Sequence, residues 1–241
     1  MESAAAPEPA RGPDSGLGRL AGVFVSPART FAAIARRPTW LFPVAIATGL
    51  ALPLSELILS KTDWRAVMTE RMAKSDHKLT ESQTEMAIEQ ARKLSWLWDL
   101  IAVLAPVVLT CVIAGLLWAT CQALGWEVRF PQSLGITAHA FLPATLGSIA
   151  LLAVLWNRVS IDPQTVGDVL RTNLGFLVDR RADPVLHGLL ASIDLFSFWT
   201  LALLVLGLSA AAKASRGRMA ALIGSLWGLF VLGKAGVAAF F

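Results

Sequence analysis

Residues 97–124 read LWDLIAVLAPVVLTCVIAGLLWATCQAL, and Asp99 is the only charged residue among them. A helix needs about 20 mostly apolar residues to cross the hydrocarbon core of a bilayer. Apolar runs of this length seldom occur in proteins outside membranes. The stretch therefore predicts a transmembrane helix.

Four other stretches have the same character: residues 40–60, 135–156, 189–212 and 219–241. The whole chain is 55% hydrophobic and 16% charged, whereas soluble domains carry about 25% charged residues. We predict an all-α membrane protein with five transmembrane helices in one domain, residues 20–241, and we disfavour a soluble bundle of buried helices. Because five is an odd number, the termini are expected on opposite sides of the membrane.

The residues before this domain, 1–19, are rich in Ala, Pro and Gly. They lack the basic start and the apolar centre of a signal peptide. We expect them to form a disordered tail.

A short basic segment, residues 27–37, precedes the first span. At helical spacing, Phe31 and Ile34 share one face, and the arginines fall elsewhere. We predict an interfacial amphipathic helix that lies in the headgroup layer with its apolar side toward the lipid. Its basic residues are then expected at the membrane surface, against anionic lipid headgroups: Arg29, Arg36 and Arg37. A plain linker with orienting arginines is the alternative.

Orientation follows the basic residues that flank the spans. Arg36 and Arg37 adjoin the first span, and the short connection at 213–218 carries three more bases. These clusters favour a cytoplasmic N-terminus. The opposite side would hold the longer segments 61–96 and 157–188, which carry both bases and acids. Each segment is either a membrane-skimming connection or a docking surface for a partner.

Four ionisable residues interrupt the apolar runs: Glu56, Asp99, Asp194 and Lys234. At about 1.5 Å per residue, all four lie near the boundary opposite the N-terminus. We expect an intramembrane polar cluster in which Asp194 pairs with Lys234, because a short loop makes their spans antiparallel neighbours. Glu56 and Asp99 are the alternative partners of Lys234. The cluster is either functional or a set of side chains that extend to the interface.

The last span places Gly224 and Gly228 four residues apart, a spacing that allows close helix packing. A homo-oligomer or another protein partner is therefore a candidate. The lipid bilayer is the expected main partner. The bases adjoin apolar runs, so we expect no nucleic acid to bind.

Catalytic signatures do not occur in the sequence. The three histidines, His77, His139 and His187, form no metal-binding spacing. No phosphate-binding glycine loop or nucleophile motif is present. We expect no catalytic residue, metal or cofactor, and no enzymatic activity; His139 is expected at the interface.

Three segments together resemble the YIP family of membrane proteins, and its bacterial members in particular. They are FVSPARTFAAIARRPTW at 24–40, NLGFLVD at 173–179 and SIDLFSFWTLALLVLGLSAAAK at 192–213. The resemblance implies five helices, a cytoplasmic N-terminus, a C-terminus on the opposite side and a place in the bacterial cytoplasmic membrane.

Eukaryotic members of the family bind Rab GTPases and shape membranes, whereas the short tail of this chain offers no evident GTPase-docking segment. The expected function is non-enzymatic organisation of the membrane or of membrane-bound partners. The alternative is a subunit of a transporter or permease, with Glu56, Asp99, Asp194 and Lys234 along a polar path.

Overall fold

A computed structural model describes residues 16–73, 80–163, 165–180 and 182–240. Most of the predicted tail, residues 1–15, lies outside this range. The last residues of the predicted tail, 16–19, are helical, because a helix begins at Gly16. The described part contains helices and no strands. The helices are α1 Gly16–Val25, α2 Pro27–Arg36, α3 Leu41–Lys61, α4 Trp64–Ala73, α5 Glu81–Lys93, α6 Ser95–Ala123, α7 Phe130–Ala140, α8 Leu142–Trp156, α9 Pro184–Ala191, α10 Leu195–Ala212 and α11 Arg216–Phe240.

Five segments are long and apolar enough to cross a membrane, which confirms the predicted fold class. They are Leu41–Lys61, Ser95–Ala123, Phe130–Trp156, Leu195–Ala212 and Arg216–Ala239. The third comprises α7 and α8, which meet at Phe141. We call the side where α3, α7 and α11 begin the near face, and the opposite side the far face.

The fourth span begins later than predicted. Its first apolar residues, 189–191, belong to the separate helix α9, and the span starts at Leu195. Asp194 is the N-cap of α10, where its Oδ2 atom accepts hydrogen bonds from the backbone N–H and the hydroxyl of Ser197 at 2.9 and 3.2 Å. A carboxylate that satisfies free N–H groups in this way starts a new helix.

The larger core of buried side chains lies toward the near face. It forms where α6 and α10 end and where α7 and α11 begin, and α1 and α2 contribute to it. Its buried members are Val23, Phe31, Ile34, Leu117, Cys121, Val128, Ile136, Ala140, Leu142, Leu203, Leu204, Leu208, Met219 and Ile223. The two N-terminal helices are therefore an integral part of the bundle.

A smaller core toward the far face joins α3 to α8 through Leu57, Leu155 and Ile161. A polar contact reinforces it. The ammonium of Lys61, at the end of α3, donates to the backbone carbonyls of Leu155, Trp156 and Arg158 at 3.3, 2.6 and 2.8 Å. The last carbonyls of a helix lack partners within it, so this lysine caps α8.

Candidate functional site: a basic hairpin at the near face

Residues 16–37, which we call the N-terminal hairpin, consist of α1 and α2 joined by Ser26 alone. The Ser26 carbonyl accepts hydrogen bonds from the backbone N–H and the hydroxyl of Thr30, at 3.1 and 3.0 Å. Gly22 faces the Thr30 side chain so closely that a Cβ atom there would collide with it. The glycine therefore lets the two helices approach each other next to the turn.

The apolar face of α2 is buried inside the bundle. The predicted helix is present, and Phe31 and Ile34 share a face as expected, but both are fully buried against α10 and α7. A Cβ atom on Gly207 of α10 would lie 2.7 Å from the Phe31 ring. The predicted position of this face against lipid is wrong, because Gly207 leaves a groove in α10 that the phenyl ring fills.

Hydrogen bonds close the open end of the hairpin and fix α2 to a neighbouring span. One guanidinium nitrogen of Arg19, a residue only 3% exposed, donates to the Arg37 carbonyl at 2.7 Å and to the Thr39 hydroxyl at 2.8 Å. The Gln132 side chain of α7 donates to the Ala35 carbonyl at 2.7 Å. Sequence reasoning did not identify Arg19, whose partners are distant along the chain and include a backbone carbonyl.

The near face carries a basic surface. Of the predicted membrane-surface residues, Arg36 and Arg37 are exposed there, at the end of α2, and Arg29 is exposed near the start of α2, close to the Ser26 turn. They are joined by four other exposed bases: Arg129, Lys213, Arg216 and Arg218. Among residues 16–40, 122–132 and 210–220, Glu127 is the one acid. The excess of positive charge suits this face to anionic headgroups.

The hairpin also has an apolar side that points away from the bundle. Leu17 is 71% exposed and Val25 is 85% exposed, with the exposed Ala21 between them. Residues four apart lie on the same side of a helix. α1 therefore presents a continuous apolar row outward along its whole length.

The four predicted intramembrane charges do not form one cluster. Glu56 and Asp99 line the same cavity of about 300 Å³, which also holds Trp64 and Arg92. The hydroxyl of Ser55 donates to the Asp99 carboxylate at 3.0 Å. The structure thus brings α3 and α6 together at this pair of acids.

Lys234 lies elsewhere, in a far-face cavity of about 360 Å³ that also holds Asp168, Arg180 and His187. In the described part of the chain no ion pair joins Lys234 to Asp194. The expected pairing does not form, because the Asp194 carboxylate binds the N-terminus of α10 instead.

Close glycine packing occurs at a different position from the predicted one. A Cβ atom on Gly224 or Gly228 would meet no atom within 4 Å, whereas one on Gly207 would collide with the Ile136 side chain. Within the described part of a single chain, Gly224 and Gly228 therefore do not mediate helix packing. A contact with a second copy stays a prediction.

The histidine expected at the interface, His139, is 1% exposed and buried between helices. Its Nδ1 atom lies 2.8 Å from the Gly135 carbonyl, one turn earlier in α7. This is the environment of a packed side chain. Within the residues that the structure describes, no three His, Cys, Asp or Glu side chains are grouped so as to hold a metal ion.

Comparison with known families agrees with this architecture. The model of the Yip1 domain matches residues 21–237, which include most of the hairpin, the first four spans and nearly all of the fifth. Comparison with curated proteins and with solved structures gives no match. The family is one of membrane proteins that are not generally enzymes. The chain is an integral membrane protein and belongs to the Yip1 domain family.

Proposed function

We propose that this protein organises the membrane around it without catalysing a reaction, and that its near face binds anionic lipid headgroups. The observation that carries the proposal is the mounting of Arg29, Arg36 and Arg37 on a hairpin whose other side is locked into the bundle. Cations held in fixed positions lose little conformational freedom when they bind phosphate. The entropic cost of binding is therefore smaller than for cations on a flexible segment.

The same surface supports an orientation. The near face holds exposed bases and little acid, while far-side helix α5 carries the acids Glu81, Glu85 and Glu89. Span-flanking bases remain on the cytoplasmic side during insertion. We place the near face, and with it the N-terminus, in the cytoplasm of a bacterial cell, and the C-terminus on the opposite side.

A transporter subunit is the competing proposal. It requires a polar path through the membrane layer, and Glu56 and Asp99 lie in a different cavity from Lys234. Between these cavities and the near face lies the core of apolar side chains around α10. This arrangement supports the organising role over transport.

The test measures which lipids stay bound to the protein. Protein reconstituted in vesicles of equal amounts of phosphatidylglycerol and phosphatidylcholine is released and examined by native mass spectrometry. We expect phosphatidylglycerol to be enriched. The triple variant Arg29→Gln, Arg36→Gln, Arg37→Gln should lose the enrichment, since each arginine near an anionic surface contributes about 1 kcal/mol, a factor of roughly five.

The matched control is Arg158→Gln, which removes an exposed base from the far side. The control should keep the enrichment. Equal lipid binding by wild-type protein and the triple variant would show that the basic surface does not select lipid. In that case a soluble protein partner for the near face would be sought by crosslinking from Arg36.

A further inference from the structure

We propose that the N-terminal hairpin is re-entrant: it enters the hydrocarbon layer from the near face, turns at Ser26 and returns to the same face. Its outward apolar row, Leu17, Ala21 and Val25, then contacts lipid acyl chains. This adds a sixth membrane-embedded segment to the five spans. In this proposal the N-terminal helices penetrate the hydrocarbon layer, whereas the sequence predicted a helix that lies flat in the headgroup layer.

The contacts along α10 set the direction of the hairpin. Phe31 packs beside Gly207, and the Phe24 ring packs edge-on against Trp199 with the ring centroids 5.6 Å apart. Phe24 lies on α1, two residues before the turn, and Phe31 lies on α2, five residues after it. The turn therefore lies beside an early part of α10, and Phe31 lies beside a later part. α2 runs side by side with α10, parallel to it, and leads from inside the bundle to the near face.

The same contacts set the depth. Trp199 is thirteen residues before Ala212, the near-face end of α10, which corresponds to about 20 Å of helix. One leaflet contributes roughly half of the 30 Å hydrocarbon core. A phenyl ring that touches Trp199 therefore lies well inside that core.

Contacts at the other end return the hairpin to the surface. Gly16 lies beside Phe42, the second residue of the first span, and the Arg19 side chain reaches the Arg37 carbonyl just before that span begins. Both ends of the hairpin are thus at the level where α3 enters the membrane. Ser26, at the turn, is the deepest point.

Burial identifies lipid as the partner of the outward row. Val25, next to the turn, is 85% exposed although its neighbour Val23 is fully buried in the core. At its other end the row begins beside the first span, because Gly16, which precedes Leu17, lies next to Phe42, a residue 45% exposed. The contact of Phe24 with Trp199 places the turn end of the row inside the hydrocarbon layer. Exposed apolar side chains within that layer face acyl chains.

Arg29 fits this placement. It lies one turn from Ser26 and is exposed. A long arginine side chain can leave its aliphatic part in the apolar layer and extend its guanidinium toward the headgroups. Arg29 therefore does not prevent insertion of the hairpin. It limits the depth of insertion, because its guanidinium must still reach the lipid phosphates.

Depth can be measured with a fluorescent label at single cysteines. Cys111 and Cys121 are first replaced by alanine, and cysteine is then introduced in place of Leu17, Val25 or Arg36. The labelled proteins are reconstituted in phosphatidylcholine vesicles. Quenching is measured with lipids brominated at shallow or deep chain positions and with aqueous iodide.

A re-entrant hairpin predicts a gradient. The label at Val25 should be quenched most by deep bromines and should be several-fold less accessible to iodide than the label at Arg36. The label at Leu17 should be quenched most by shallow bromines, because about 12 Å of helix separates it from Val25. Equal depth at Leu17 and Val25 would mean that α1 lies flat, and free iodide access at Val25 would place the turn in water. Either result overturns the proposal.

This inference deepens the proposed function, and rests on it only in treating the near face as the lipid-organising side. The depth measurement uses uncharged membranes, so it is independent of headgroup selection. Lost phosphatidylglycerol selection with a normal depth gradient would remove the proposed function alone. A missing gradient with normal selection would remove the re-entrant hairpin alone.

Discussion

The His187 Nε2 atom lies 3.2 Å from the Asp168 carboxylate, and its Nδ1 atom lies 3.1 Å from the Val178 carbonyl. Both ring nitrogens thus lie within hydrogen-bond distance of an oxygen acceptor. The contacts of His187 connect α9 to the irregular segment that precedes it. α9 also packs against α11. The irregular far-side segment is therefore held by a polar contact as well as by apolar packing.

A double-mutant cycle of His187→Ala and Asp168→Ala tests this contact. Because hydrogen bonds to charged groups contribute about 1.5–3 kcal/mol, we expect a coupling energy near the lower end of that range, since Asp168 is partly exposed. Thermal unfolding in detergent measures it. Strictly additive effects of the two changes would contradict the pairing.

Lys61 offers a second test at the far face. Lys61→Met keeps the length of the side chain but removes three hydrogen bonds to the end of α8. We expect the free energy of unfolding to fall by about 1–2 kcal/mol, because charged donors to final helix carbonyls are stabilising. The control is Lys93→Met, which breaks an exposed pair with Glu89 and should cost at most about 0.5 kcal/mol.

Two glycine substitutions should act in opposite directions. Gly207→Ala places a methyl group against Phe31 and Ile136, and we expect a loss of about 1–3 kcal/mol from overpacking. Gly224→Ala meets no neighbour and should be neutral or stabilising by up to about 1 kcal/mol, because alanine favours helix. Unfolding of both variants in mixed micelles compares them. A large loss at Gly224 would instead reveal a contact with another molecule, such as a second copy.

Arg19 is expected to hold the hairpin in place. Arg19→Gln removes the hydrogen bonds to Arg37 and Thr39. A loss of about 1.5 kcal/mol corresponds to roughly tenfold faster amide hydrogen exchange in residues 16–37. The exposed Arg36→Gln serves as the control and should leave exchange unchanged. Unaltered exchange in Arg19→Gln would mean that apolar packing alone secures the hairpin.

Most of the membrane architecture could be predicted from the sequence. Long apolar runs specify spans without any knowledge of tertiary contacts, because the thickness of hydrocarbon sets their length. The exception is the fourth span, where α9 is itself apolar and Asp194 is the one charged residue of the run. The capping role of that aspartate, with Ser197 three residues later, was the available signal for a helix start.

The candidate site was only partly predictable. The arginines of the hairpin are exposed, and their position at the membrane surface stays a prediction. The burial of Phe31 depends on Gly207, more than a hundred residues later in the chain, and an amphipathic pattern does not distinguish lipid from protein as its partner. For the same reason, the outward row of α1 was not recognised from its sequence.

The turn at Ser26 has a mechanical consequence for the bilayer. A hairpin that inserts and withdraws on one side adds more cross-sectional area to the near monolayer than to the far one. The crowded monolayer relieves lateral pressure by expanding, so the sheet bows toward the near face. Many copies side by side would stabilise a bud or a tubule better than a flat sheet.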